Sequence, residues 1–391
     1  MPGNTPTYSF PYPVSTDFVK DGATAIQSLA QAVEDTIETF PTRVADLIMN
    51  GSMRVAQRGT SLTGINTGGY KTVDRWILGW NTTAGVWTQT QNTADLPSGA
   101  GAAAAMRLEC TTARTLAAGN SLQFYQRVEA TNCSALDKGT AQAKGFVVDF
   151  WVETNKPGTY VLEIEDIVNS RKISRQYTIA AANTWQRVTI AIPADTTGTI
   201  PFGTGNALEV IFWLQAGTDY TSGTLNSNWG TNPTNGRAVG QTQLGTAIGD
   251  YIAFTNVQAI PGSLVKDFVQ RPIGETLTQC QRYYYRLQDG ITGTDLIIGR
   301  NISTTQGNYV IPFNVPMRVA PTSIDQSGTA AHYSINHGVT NTACSAVPAI
   351  LTSTTRTGAV QLTVASGLTA GQASALRFNN ALARLAWSAD L

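Results

Sequence analysis

The stretch GFVVDFWVETNKPGTYVLEIEDIVNSRKISRQYTIAAANTWQRVTIAI, residues Gly145–Ile192, reads as four strands in succession. They are Gly145–Thr154, Thr159–Asp166, Lys172–Ile179 and Thr184–Ile192, separated by short segments rich in Asn, Pro, Gly and Ser. Successive side chains on a strand point to opposite faces, so a half-buried strand alternates with period two. Tyr160, Leu162, Ile164 and Asp166 fall on one face, and Val161, Glu163, Glu165 and Ile167 on the other. Further on, Val188, Ile190 and Ile192 face inward together. No helical period intervenes, which argues against a parallel α/β sheet.

The pattern extends in both directions. Met106–Cys110, Ser121–Glu129, Ala207–Gln215 and Tyr251–Ala259 complete a set of eight strands. Strands of this length between turn residues fit a large β-sandwich or jelly roll over residues 51–261. Residues 216–247 are dense in Gly, Thr and Asn, a loop long enough to suggest a functional role. Ile273, Leu277, Cys280, Tyr284 and Leu287 recur at helical spacing and predict a connecting helix within 262–290. Asp295–Ile302, Tyr309–Phe313, Val360–Val364 and Leu376–Trp387 then predict a second, smaller β-sandwich over 291–391. The fold class expected is mainly β, led by an N-terminal extended arm and a short helix.

Composition narrows the function. The 391 residues carry 26 basic and 26 acidic side chains, so no basic excess points to nucleic acid. The charged fraction is 13%, about half the usual ~25%, and apolar residues make up 42%. MPGNTPTYSFPYPV at the start has neither a basic region nor an apolar core of the secretory kind. No apolar run reaches the ~18 residues of a membrane helix. Cys110, Cys133, Cys280 and Cys344 form no CxxC pair, so we expect small buried thiols from a reducing cytoplasm rather than a zinc site or disulfides.

Residues 1–14 are rich in Pro and aromatics, which predicts an extended arm whose Tyr8, Phe10 and Tyr12 dock on a partner. Residues 21–48 follow as a helix. Ile26, Ala30, Val33, Ile37, Phe40, Val44 and Leu47 step by alternating fours and threes, the a/d seam of an oligomer. Pro41 should break or kink that helix near Phe40. A single amphipathic helix lying on its own domain is the other reading of the stripe.

Catalytic signatures are missing from the sequence: GxSxG, HExxH and phosphate-binding loops do not occur. His332 and His337 are five apart, with no ligand-rich neighbourhood. Glu163 and Glu165 share a strand face about 7 Å apart, which paired-acid hydrolysis could use, but a solvated face explains them more simply. Neither a catalytic residue, a metal nor a cofactor is therefore expected. Among the tryptophans, Trp151, Trp185 and Trp213 lie in apolar strands and read as core. Trp229 lies in a polar loop, where it is either an exposed sugar-stacking platform or a loop anchor. As a platform it would have Tyr220, Asn226 and Asn228 as stacking or hydrogen-bonding neighbours.

A run of phrases carries a family resemblance. PYPVSTDFVKDGATAIQSLAQAVED (Pro11–Asp35) is similar to an N-terminal phrase of phage minor tail and fibre proteins. NGSMRVAQRGTS (Asn50–Ser61), then Tyr70 and Val73–Trp76, resembles the opening of a family of phage structural β domains. FWVETNKPGTYVLEI, TWQRVTIAIPADTTG and FWLQAGTDYTSGTL continue that family's sandwich, and RPIGETLTQCQRYYYR (Arg271–Arg286) resembles its exit helix, with the CQRYY motif inside it. The chain thus resembles a bacteriophage virion structural protein of the tail-fibre type with a carbohydrate-binding-like jelly roll. The resemblance implies a homotrimer on the virion, assembled in the host cytoplasm and attached through its N-terminus to tail, neck or head components. Host cell-surface polysaccharide is the further partner expected, and the charge balance and hydropathy argue against nucleic acid and membrane insertion. A connector, or a head or collar decoration protein with no ligand, is the alternative. Residues 291–391 take no part in the resemblance.

Overall fold

The computed structural model describes residues 3–4, 11–12, 22–39, 46–81, 85–263, 267–287 and 292–391, with the backbone alone for 3–4, 11 and 34–39. β1 (Gly3–Asn4) and β2 (Pro11–Tyr12) form a two-stranded antiparallel pair, with Tyr12 exposed. α1 spans Gly22–Thr39, ending two residues before Pro41, where the residue preceding a proline is disfavoured in helical conformation. On its stripe Ile26 is 65% exposed, Ala30 is exposed and Val33 half-buried. Tyr8, Phe10, Phe40, Val44 and the Ile37 side chain lie outside the described residues. Leu47 corrects the predicted seam. It follows the helix and is buried in the core of the large β domain, its amide donating to Ala259 O at 3.0 Å.

That domain has twelve strands: β3 (Ser61–Ile65), β4 (Gly69–Tyr70), β5 (Trp76–Asn81), β6 (Val86–Asn92), β7 (Ala105–Thr112), β8 (Ser121–Glu129), β9 (Phe146–Thr154), β10 (Gly158–Asp166), β11 (Arg171–Ile179), β12 (Gln186–Ile192), β13 (Asn206–Ala216) and β14 (Tyr251–Pro261). A one-turn helix, α2 (Thr218–Thr221), lies between the last two. Two six-stranded antiparallel sheets result, ordered β11-β10-β13-β8-β5-β4 and β12-β9-β14-β7-β6-β3. The eight expected strands form, and the segment before residue 105 adds four more. Alternation turns one face of each sheet inward. There Trp76 stacks on Phe124 with ring centres 4.6 Å apart, and Phe212 meets Phe254 at 4.7 Å and Phe150 at 4.9 Å. This sandwich of jelly-roll type is the fold expected from the alternation.

The NGSM turn explains its own sequence. Asn50 adopts φ 53°, and its side chain bridges Val55 N, Val55 O and Asp74 O, while Trp76 Nε1 donates to Asn50 O. A Cβ on Gly51 would lie 1.7 Å from Val257 O, at the bulge of β14 where Asn256 also has positive φ. Only glycine lets the two backbones approach so closely.

After the sandwich come α3 (Ile273–Gln281) and then β15 (Tyr284–Leu287). The spacing that placed Tyr284 and Leu287 on the helix is thus overruled. Three consecutive tyrosines favour extended backbone, and β15 pairs with the final strand. The rest comprises β16 (Asp295–Asn301), β17 (Gln306–Pro312), β18 (Ile324–Gln326), β19 (Tyr333–His337), β20 (Thr340–Ser353), β21 (Thr357–Val364), β22 (Ala373–Phe378) and β23 (Leu385–Ser388). The smaller β domain expected here takes the form of a closed barrel, β16-β17-β21-β20-β19-β22, with β15-β23-β18 as a separate three-stranded sheet. Tyr309, Ile311, Tyr333, Leu362 and Leu376 fill its core.

The two cores meet at the CQRYYYR segment. Cys280 is buried, Arg282 pairs with Glu129 at 2.6 Å, and Tyr283 donates its hydroxyl to Glu129 at 2.6 Å. Arg75 lies 3.6 Å over the Tyr283 ring and Arg58 3.6 Å over Tyr284, while Arg58 also pairs with Asp390. Tyr285 turns the other way, onto Phe313 at 5.2 Å in the barrel domain. The segment is the joint between the domains, each tyrosine assigned to a different contact. All four cysteines are free and buried.

Candidate functional site

The loop between β13 and β14 folds back over the outer face of the first sheet. Trp229 is half-buried there and packs against the sandwich core. Its Nε1 donates to Pro193 O at 2.8 Å, and the Lys138 ammonium sits 5.4 Å over its ring. Lys138 is itself held by Asp166, by Asp195 at 2.9 Å and by the carbonyls of Thr197 and Gly198. Asn226 is buried and donates to Pro233 O, and Tyr220 packs 5.1 Å from Trp213 with its hydroxyl accepting from Asn81. Asn228 is exposed, its carbonyl accepting from Asn232. The four residues predicted as a sugar site are therefore not gathered around an open ring face. Trp229 is a loop anchor.

The same loop covers Glu163 and Glu165, which lie on no solvated face. Glu163 is fully buried. Arg237 Nε donates to both its oxygens at 2.9 and 3.0 Å, and Trp213 Nε1 donates to Oε2 at 2.9 Å. Burial pushes the Glu163 carboxyl up, and the Arg237 guanidinium opposes the shift. Glu165 pairs with Arg237 and Lys172. Both acids are tied down as a structural ion cluster. His332 and His337 hydrogen-bond to Ser327 and Thr342 respectively. Among the described residues no group of three metal-ligating side chains occurs.

The outer face of the second sheet is a different kind of surface. In β9 the core takes Phe146, Val148, Phe150 and Val152, so Val147, Asp149, Trp151 and Glu153 point outward. Trp151 stands between Arg187 of β12 and Thr255 of β14. Trp185, two residues before Arg187, shares that face beside Glu153. Both tryptophans are half-buried and neither belongs to the core, which corrects the reading of them as interior residues. Trp213 alone of the three is fully buried.

Around them is a polar cluster. Trp185 Nε1 donates to Asp95 Oδ1 at 3.2 Å. The Tyr251 hydroxyl lies 3.1 Å from Glu153 Oε1 and 2.9 Å from Asn183 Oδ1. Burial, with Glu153 beside it, pushes that hydroxyl up to about 12, so it stays a neutral donor. Arg107 lies 3.6 Å over the Tyr251 ring and pairs with Glu109 at 3.0 Å. Residues 93–104, joining β6 to β7, strap across this face. They are held by Thr255 Oγ1 on Ala104 O, Asn256 Nδ2 on Ala100 O and Gln270 Nε2 on Gly101 O.

No protein-family model matches the chain, and no curated protein matches it. Among solved structures it is similar to the enzymatically active domain of bacteriophage CBA120 tailspike protein 4, at 15% identity and a TM-score of 0.27, over 48% of this chain and 19% of that one. A CBM4 structure is similar at 11% identity and a TM-score of 0.27, over 54% of this chain and 97% of that one. TmCBM61 in complex with β-1,4-galactotriose is similar at 12% identity and a TM-score of 0.27, over 51% and 94%. Likenesses of this size leave the functional argument to the chain's own residues.

Proposed function

We propose that the chain is a structural protein of a bacteriophage virion, a trimeric tail fibre or adhesin that attaches by its N-terminal arm and presents its β domains to host-surface polysaccharide. The observation that carries this reading is the open stripe of α1. Ile26 and Ala30 are exposed, whereas the sandwich and the barrel each bury a complete core of their own. An apolar stripe on a polar helix has a natural partner in the same stripe of another copy. The resemblance of Pro11–Arg286 to fibre-type proteins supports the same reading and a virion location. The tying of Glu163 and Glu165 to Arg237 supports a binding or structural role over a catalytic one.

Multi-angle light scattering on the full chain tests this. The expected mass is three times 41.7 kDa, and a monomer overturns the trimer. Val33→Asp would put three carboxylates in one apolar layer, and it is expected to dissociate the trimer, because an unpaired buried charge is costly. The anchoring of Trp229 favours, on its own, the second reading of a connector without a ligand. Binding of the purified protein to host cells separates the two.

A further inference from the structure

We propose that the outer face of the second sheet, at Trp185, Trp151, Asp95 and Glu153, is a binding site for an uncharged saccharide chain. The proposal rests on the reading of the protein as a polysaccharide-contacting appendage and assigns that contact a place and a ligand class.

Two independent observations converge. The first is aromatic. Trp185 is fixed by the hydrogen bond from its ring nitrogen to Asp95, which holds the indole without using its face. Trp151 is its diagonal neighbour across β9 and β12, where such pairs lie about 7–8 Å apart. Flat rings with one polar edge fixed are suited to the apolar faces of pyranose rings. The second is polar. The exposed Asp95 carboxylate, which accepts from Trp185, is also hydrogen-bonded to Glu153, itself 4% exposed. That hydrogen bond raises the Glu153 carboxyl further than burial alone, so the pair shares a proton, and the acceptors that face a ligand are the oxygens of the exposed Asp95 and the part-exposed Glu109.

The cations decide the class. Arg107 is spent on Glu109 and on the Tyr251 ring, and Arg187 on Asp149 and Asp267. With Asp95, Glu153 and Glu109 at the site, an anionic sugar such as a uronate would meet repulsion. A neutral chain meets acceptors for its hydroxyls.

Affinity electrophoresis of the full-length protein through gels containing neutral polysaccharides (glucan, galactan, mannan) or an acidic one (polyuronate) tests the site. Retention is expected by at least one neutral polymer and not by the polyuronate. Trp185→Ala and Trp151→Ala should each weaken retention at least tenfold, whereas Trp185→Phe, which keeps a flat ring and disturbs packing least, should retain most of it. Trp229→Ala, assayed below its melting temperature, should bind as the parent does. Retention by neutral polymer that both tryptophan variants leave unchanged overturns the site and leaves the adhesin reading standing. Retention by polyuronate alone overturns the ligand class. No retention by any of these polymers overturns both the site and the glycan-contacting part of the proposed function, and the trimer measurement still stands apart.

Discussion

Trp229 belongs to stability, and its replacement measures how much. Trp229→Ala removes the bond to Pro193 O, the packing on the core and the lid over Lys138. Its loss is expected to lower stability by about 3 kcal/mol, the low end for truncating a buried tryptophan, as read from the urea midpoint. Asp74 offers a pH test. Burial pushes its carboxyl up to about 6, with Arg58 and the Gln57 hydrogen bonds opposing the shift. The folded state therefore binds this proton more tightly than the unfolded one. Its contribution is fully present below about pH 4 and is lost as pH rises through 6. Asp46 shifts in the same direction for the same first cause. Compared with Asp74→Asn, the parent should lose up to about 3 kcal/mol between pH 4 and 7, measured as parallel denaturant titrations; identical slopes would refute the assignment. At this scale the sequence was readable but easily misread. Trp151 shares its phase with Asp149 and Glu153, and Trp185 with Arg187 and Thr189, so alternation alone places both tryptophans outside. Their bulk suggests the core, and in β9 Val147 and Trp151 interleave with the two acids on the outer face, so there residue type hides the phase.

Elements were legible where one period ran unopposed. The strands from Gly145 to Ile192 follow from alternation with no other information. The segment before residue 105 was harder, because its strands are interrupted by Gly and Thr and the pairing of β5 with β8 skips β6 and β7, which belong to the other sheet. Helical spacing misled at Tyr284 and Leu287 and again at Leu47. In each case a stripe ran on by coincidence past the point where the chain turns into a strand or a turn. What holds residues 46–55 in place is a contact invisible in the sequence, the approach of Gly51 to the β14 bulge. Gly51→Ala forces a backbone collision and is expected to cost about 3 kcal/mol in a thermal melt. Ala at Gly22, which has open space around it, should be neutral or stabilising by the same measurement.

On the scale of the whole molecule, the joint makes one body of two cores. Glu129 is buried and serves Arg282 and Tyr283 together. Glu129→Ala leaves the part-exposed Arg282 without its carboxylate and the buried Tyr283 without its acceptor, a loss of about 1–3 kcal/mol. Scanning calorimetry of the parent should show one transition, and that of the variant two, with the barrel melting apart from the sandwich. A single unshifted peak in the variant would mean that the joint carries no coupling. β14 has a further consequence, for the order of synthesis. It is an inner strand, flanked by β9 and β7, and also the last strand of its domain to be made. Until residue 261 has left the ribosome, β7 and β9 each expose a row of unpaired amides and carbonyls toward the gap. At ~5–20 residues per second, the wait after residue 154 lasts about 5–20 s. Open edges of that kind invite pairing with another chain. A nascent chain crowded among identical copies, as in any oligomer made in quantity, thus passes through its most aggregation-prone interval before its central strand exists.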